Sequence, residues 1–130
     1  MGHGVQDSPE VIPKIEVWIK RKHGDLDFHI TQFLTGHGCF KSYLYRIGKE
    51  ENRNCWFCPD TNDTPEHSIF ACTRWSERRE ETFKKVEREI NKNTIVEFML
   101  ENEQTWNLIK NLVNHILKDK EEYQRNVIKR

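Results

Sequence analysis

The sequence predicts a small all-α domain interrupted by one central polar loop. Apolar residues recur at helical spacing on both sides of a polar stretch that runs from Lys49 to Thr64. No segment shows the alternation of Val, Ile and Thr with polar residues that is typical of a half-buried strand. Residues 1–10 lack apolar periodicity, so we expect a flexible tail there, followed by a helical domain at 11–125 and a short tail at 126–130.

The composition limits both the core and the partners. Of 130 residues, 32% are charged, and the mean hydropathy is −0.87. The predicted core is therefore thin, and thin cores are often completed by a metal or by disulfides. The 21 Lys and Arg residues balance 21 Asp and Glu residues, so no overall field attracts the protein to nucleic acid or membranes.

The sequence lacks membrane and secretion signals. No apolar run approaches the roughly 18 residues of a transmembrane helix, and no signal peptide is evident at the start. We therefore predict a soluble, intracellular protein of the nucleus or cytoplasm, with no membrane partner. Clustered cysteines in such a reducing compartment bind metal more often than they form disulfides.

Three helices are predicted before the polar stretch. The first opens at Pro13. The second is capped by Asp25 or Asp27 and ends at Gly36. The third runs from Phe40 to Ile47.

Three more helices are predicted after it. A long charged helix runs from about Thr73 to Asn91. A short helix starts at a capping box formed by Thr94 and Glu97. The last helix runs from about Thr105 to Gln124 and carries an apolar stripe from Trp106 to Leu117.

Three cysteines and one histidine have the spacing of metal ligands, namely C-x2-C, eight residues, then H-x4-C: Cys55, Cys58, His67 and Cys72. Three Cys and one His form a common closed set around a tetrahedral Zn²⁺. Because no ligand position is left for water, we predict one structural Zn²⁺ and a zinc knuckle in the central loop. The alternative is that these are unrelated buried cysteines and a surface histidine.

The local structure around the last two ligands follows from their spacing. His67 and Cys72 would lie about 140° apart around an ideal α-helix, so they cannot share one face of a straight helix. We therefore expect a short helix near Pro65 to Phe70, a break at Cys72 and a new helix capped by Thr73.

The segment from Gly36 to Cys39 could suggest other chemistry. Gly36 and Gly38 are expected to be turn residues rather than a phosphate-binding loop. Cys39 is expected to be a small buried residue, and it is an alternative ligand only if Cys55 or Cys58 fails. His37 and Cys39 do not suggest a nucleophile pair, since no third orienting group is evident. We predict neither an enzyme nor a small-molecule substrate.

The run from Ile30 to Phe40 contains TGHG, and with Tyr43-Leu44 and the CCHC residues it forms a specific pattern. It resembles the carboxyl-terminal segment of insect non-long-terminal-repeat retrotransposon polyproteins, where TGHG precedes a CCHC zinc motif after the reverse transcriptase. The resemblance covers roughly Val11 to Lys118. It implies the same four zinc ligands and association with the element's RNA or target DNA.

The chain departs from that family in two ways. Members often have proline after the last cysteine, where this chain has Thr73. The Tyr-x-Asp-Asp motif of the reverse transcriptase is absent, and 130 residues could not hold that domain. We therefore expect an excised segment, a truncated copy or a domesticated gene.

Regional charge indicates where nucleic acid would bind. The segment from Cys55 to Cys72 contains three acidic and no basic residues, a charge of −3, so the zinc loop itself is expected to repel phosphate. The candidates are instead two basic clusters and two aromatic residues that could stack on bases: Lys20, Arg21, Lys22, Arg74, Arg78, Arg79, Trp56 and Phe57. The alternative for the two aromatic residues is that they cover the metal and pack on the helices.

These observations predict a zinc-binding module that binds RNA or DNA weakly and in a salt-dependent manner. The alternative is a protein–protein docking module that buries the stripe from Trp106 to Leu117 against a partner.

Overall fold

The computed structural model describes residues 23–24 and 27–128. Within these ranges the protein has five α-helices, one π-helical turn and one 3-10 turn. The bounds are α1 Phe28–Thr35, α2 Lys41–Arg46, the π turn His67–Ala71, the 3-10 turn Thr73–Trp75, α3 Ser76–Val86, α4 Ile95–Glu101 and α5 Glu103–Ile128. The β pairing found in these ranges is one isolated bridge between Asn54 and Asn62. The all-α prediction is confirmed, while the predicted helix at Pro13 and the tail at 1–10 lie outside the described residues.

Helix α1 begins and ends at the residues that its sequence indicates. The Asp27 carboxylate accepts a hydrogen bond of 2.8 Å from the Ile30 backbone N–H, which makes Asp27 the cap of the two candidates. Gly36 has φ 77°, and its N–H donates to the Gln32 carbonyl oxygen at 2.8 Å. Such a left-handed residue ends a helix at little cost when it is glycine.

The helix after Cys72 is shorter than predicted. It begins as the 3-10 turn Thr73–Trp75, without a side-chain cap, and continues as α3 to Val86. Glu87 then adopts a left-handed conformation with φ 60° and ends the helix.

The predicted capping box at Thr94 is wrong. No side chain caps α4. The Thr94 hydroxyl instead accepts the Asn91 N–H at 3.0 Å, and the Asn91 side chain accepts the Thr94 N–H at 3.2 Å. This local turn engages the hydroxyl that would have capped the helix.

Helix α5 is the centre of the core. It begins with Asn102 accepting the Thr105 N–H at 3.0 Å and continues to Ile128, into the predicted tail. It packs against α1, α3, α4 and the π turn, and its inward side chains are fully buried: Trp106, Ile109, Leu112, Val113, Ile116 and Leu117. The stripe proposed for docking a partner is therefore the protein's own core, and that alternative prediction is wrong in this form.

None of the helices in the described ranges is long and apolar enough to cross a membrane.

Candidate metal centre

A small hairpin presents the first two cysteines. The Cys55 N–H donates to the Thr61 carbonyl oxygen at 2.7 Å, and the Asp63 N–H donates to the Arg53 carbonyl oxygen at 2.8 Å. The chain between these bonds turns through Cys58, and the Phe57 N–H points at the Cys55 sulfur with an N···S distance of 3.4 Å. The hairpin thus places both sulfurs on one side of a tight turn.

A π-helical turn presents the other two ligands. The Cys72 N–H donates to the His67 carbonyl oxygen at 2.7 Å, a bond between residues i and i+5. Cys72 itself is extended, with φ −61° and ψ 130°, and ends the turn. The predicted short helix and the break at Cys72 are both confirmed. The wider π turn brings residues five apart together, which an α-helix would not do.

The four candidate ligands converge on one point. The Cys72 sulfur lies 3.8 Å from the sulfurs of Cys55 and Cys58, and the four ligand atoms all lie within 4.8 Å of one another. A tetrahedral metal with bonds of about 2.3 Å to sulfur separates two sulfurs by about 3.8 Å. All four cysteines are free, and the His67 Nε2 is buried without a hydrogen-bond partner. The group could therefore hold a metal ion.

The electrostatics of the ligands differ from one residue to the next. Burial lowers the pKa of His67, which favours the neutral imidazole that binds metal. Burial and the neighbouring Cys55 raise the pKa of Cys72 to about 12. Burial opposes the ionisation of Cys58, but hydrogen bonds from Thr73 and from the neighbouring thiols lower its pKa overall. A metal that binds here must displace the proton of Cys72.

Cys39 lies outside this group, as predicted. It is buried, and burial raises the pKa of its thiol to about 12. Its backbone is held on both sides, because its N–H donates to the Gln32 side chain at 3.1 Å and its carbonyl oxygen accepts from Gln124 at 2.7 Å.

Arg79 is not part of a surface cluster. Its side chain lies under the π turn, and the residue is only 8% exposed. Its guanidinium donates to the carbonyl oxygens of Ile69 at 2.6 Å, Cys72 at 2.7 Å and Ser68 at 3.3 Å. The predicted nucleic-acid contact at Arg79 is wrong, since a side chain engaged in this way cannot reach a phosphate.

A buried ion pair, which the sequence analysis missed, fastens the hairpin to α5. Lys120 donates to the Asp63 carboxylate, and the two side chains are 1% and 0% exposed. Asp63 also accepts the Lys41 N–H at 2.9 Å and the Ser68 hydroxyl at 3.2 Å. The helical pattern contained a signal, because Lys120 follows Ile116 by four positions and therefore lies on the apolar stripe.

Arg74 and Phe57, also predicted to contact nucleic acid, contact other side chains of this protein. Arg74 pairs with Asp119 at 2.7 Å, and its guanidinium carbon lies 4.3 Å from the Phe57 ring centre. Phe57 also packs against Trp75 and Tyr123, with ring centres 5.6 and 4.8 Å away.

Trp56 is engaged in a similar way. The Lys41 ammonium lies 3.9 Å from its ring centre, and the Tyr123 ring is 5.6 Å away. These contacts favour the packing interpretation of both Trp56 and Phe57. Arg78 is exposed, whereas Lys20, Arg21 and Lys22 lie outside the described residues.

No protein-family model matches the chain, and comparisons with curated proteins and with solved structures found no match either.

Proposed function

We propose that this chain is a zinc-binding helical module that contacts RNA or DNA, carries no catalytic site of its own and derives from the carboxyl-terminal segment of an insect non-long-terminal-repeat retrotransposon. The observation that supports it most directly is the convergence of four ligand atoms within 4.8 Å of one another.

The donor set favours zinc among the common metals. Three thiols and one imidazole suit a tetrahedral Zn²⁺, whereas Mg²⁺ and Ca²⁺ prefer oxygen ligands. With Cys55, Cys58, His67 and Cys72 as ligands, no position remains for a reactive water, so the role of the ion is structural. The ion would join the hairpin, which carries Cys55 and Cys58, to the π turn that presents His67 and Cys72.

Metal content and stability test the zinc proposal. Structural zinc contributes about 10–16 kcal/mol of apparent binding energy in zinc-finger peptides, which is comparable to the whole stability of a typical domain, about 5–15 kcal/mol. We expect one zinc per chain, and we expect Cys58→Ala to lose it and to unfold at least the segment from Asn54 to Arg79. Cys39→Ala is the matched control and should keep the ion. Protein purified without chelator that contains no zinc, with all four thiols titratable while folded, would contradict the proposal.

Nucleic-acid contact requires exposed cations and rings, which occur together at the end of α2. Tyr45 is 40% exposed, and Arg46 and Lys49 beside it are exposed. Stacking rings combined with cations are the usual components of single-strand binding sites. Glu50 and Glu51 lie in the same segment and oppose phosphate, so the binding we propose is weak.

Fluorescence anisotropy with a single-stranded RNA and a duplex DNA at two salt concentrations tests this part. By counterion counting, a few phosphate contacts give a log–log salt slope of roughly −2 to −3. Replacing Arg46 and Lys49 with Ala should weaken binding to all sequences about equally, because phosphate contacts do not specify sequence. The same exchange at Lys84 and Lys85, exposed on α3, is the matched control. Absence of binding at low salt would reject the nucleic-acid role and leave the zinc proposal intact.

The proposed origin rests on the TGHG run and the CCHC residues together. A full-length transcript tests it directly. A reading frame that continues upstream into a reverse transcriptase, or genomic flanks that carry remnants of one, would support the origin. A frame and flanks unrelated to any such element would refute it.

A further inference from the structure

We infer that Arg79 is a positioning residue of the metal centre: its buried guanidinium fixes the turn that carries His67 and Cys72, and its charge balances that of the loaded site. This inference rests on the proposed zinc binding.

The guanidinium closes the carbonyl end of the π turn. The last carbonyls of a helical turn have no partners within the turn and need another donor. Arg79 Nε donates to the Ile69 carbonyl oxygen at 2.6 Å, while Nη2 donates to those of Cys72 at 2.7 Å and Ser68 at 3.3 Å. One planar group therefore bonds to the backbone of a ligand and to two residues of the π turn. A lysine ammonium has no rigid fork with which to make the same set of bonds.

The charge of Arg79 is also largely removed from water. The residue is 8% exposed, and a buried charge is costly unless an opposite charge is near. Among the ion pairs of the described residues, none joins a carboxylate to Arg79. Burial lowers the pKa of Arg79, while the nearby side chains of Cys72, Glu80 and Cys58 act in the opposite direction.

Two of those three groups are proposed metal ligands. Zn²⁺ with three thiolates and one neutral imidazole carries a formal charge of about −1. The cation of Arg79, bonded to the ligand backbone at Cys72, would bring the buried assembly close to neutrality. Metal binding and Arg79 should therefore stabilise each other.

Zinc affinity measured by competition with a chromophoric chelator tests this on the full chain. We expect Arg79→Met to weaken zinc binding by about 10- to 100-fold, the usual effect of removing a partner of a metal ligand. Arg79→Lys keeps the charge and loses the planar fork of donors, so its zinc affinity should lie between those of Arg79→Met and the wild type. Arg78→Met replaces an exposed arginine on the same helix and should bind zinc as the wild type does.

A readout from the metal itself separates positioning from general destabilisation. With Co²⁺ as the probe, the ligand-field and thiolate charge-transfer bands of Arg79→Met should shift while circular dichroism at saturating metal remains helical. If Arg79→Met fails to fold, Arg79→Lys decides, since weaker binding with a native helical spectrum supports the role.

Three results would count against the inference. Zinc affinities of Arg79→Lys and Arg79→Met within about twofold of the wild type would overturn it and leave the zinc proposal standing. An equal loss in Arg78→Met would overturn it as well, because the effect would then be one of net charge. A wild-type protein that binds neither Zn²⁺ nor Co²⁺ would refute the proposed function, and this inference with it.

Discussion

Replacing Lys120 with Met should destabilise the protein more than most single substitutions. Lys120 and Asp63 are 1% and 0% exposed, so the change leaves a carboxylate buried without its cation. Among the donors of the described residues, Asp63 would keep the Lys41 N–H and the Ser68 hydroxyl. Removing one partner of a buried ion pair costs about 3–5 kcal/mol. For a domain of this size that corresponds to a decrease in Tm of about 10–20 °C.

The measurement is urea unfolding of the zinc-loaded proteins, followed by circular dichroism. Lys118→Met is the matched control, because Lys118 is exposed on the same helix. The double variant Asp63→Asn with Lys120→Met should recover most of the loss. The amide oxygen of Asn could still accept the Lys41 N–H, and its amide N–H could donate to the Ser68 hydroxyl, so the double variant would not leave this carboxylate buried without its cation.

The reasoning would be refuted by either of two results. A decrease in the free energy of unfolding below about 1 kcal/mol for Lys120→Met would mean that the Asp63 carboxylate becomes solvated or is readily protonated. A double variant as unstable as the sum of the two single variants would mean that the two groups are not coupled.

Three further outcomes are expected. Gly38→Val should lower the free energy of unfolding, measured in urea, by about 2–4 kcal/mol. The backbone φ of Gly38 is +87°, and an added Cβ would lie 2.1 Å from the Gln32 Oε1, which accepts a buried hydrogen bond. A stability equal to that of the wild type would contradict this. Zinc affinity should rise with pH, because Cys72, with a pKa of about 12, still holds near neutrality the proton that the metal displaces, whereas burial already favours neutral His67. Calorimetry in buffers of different ionisation enthalpy should show proton release on zinc binding, and its absence would refute Cys72 as a ligand. Cys39, buried with a pKa of about 12, should resist alkylation in the folded protein and react only on unfolding, which mass spectrometry of the labelled protein would detect.

The candidate ligand group and the fold class could be predicted because both depend on local pattern. Cys55 and Cys58 need only a tight turn between them, and their spacing defines that turn whatever the rest of the chain does. Helix α1 is equally local, since Asp27 and Gly36 lie at its two ends and each acts on its own backbone neighbours.

Of two buried cations beside the candidate metal centre, Arg79 was misread and Lys120 was missed, because their charge was considered before their position on the helix. Arg79 stands next to Arg78 and looked like part of a basic surface cluster. Yet it follows Trp75 by four positions and precedes Phe83 by four, on the inward face of α3. Lys120 has the same relation to Ile116 on α5. A lone cation on an apolar stripe is better interpreted as a buried partner. Its acceptor is not evident from the sequence, because Asp63 lies far from Lys120 along the chain and the acceptors of Arg79 are backbone carbonyls.

The failure at Thr94 has a different cause. A capping box depends on a free hydroxyl, and the sequence three residues earlier offers a competitor in Asn91, whose side chain bonds back to Thr94 at 3.2 Å. Both arrangements use the Thr94 hydroxyl as an acceptor and the Thr94 N–H as a donor, and both are local. Local pattern alone therefore does not decide which of the two partners takes the Thr94 hydroxyl.

The spacing between His67 and Cys72 links the sequence pattern to the local backbone structure. Five residues are the wrong separation for one face of an α-helix, and the separation is matched by the i to i+5 bond of the π turn, whose N–H and carbonyl belong to the two ligands themselves. Such a turn is rare and has poorly satisfied carbonyls at its end. Here those carbonyls accept from Arg79. The ligand spacing, the π turn and the buried arginine therefore depend on one another, and a change at any one of them should alter the binding of the proposed metal.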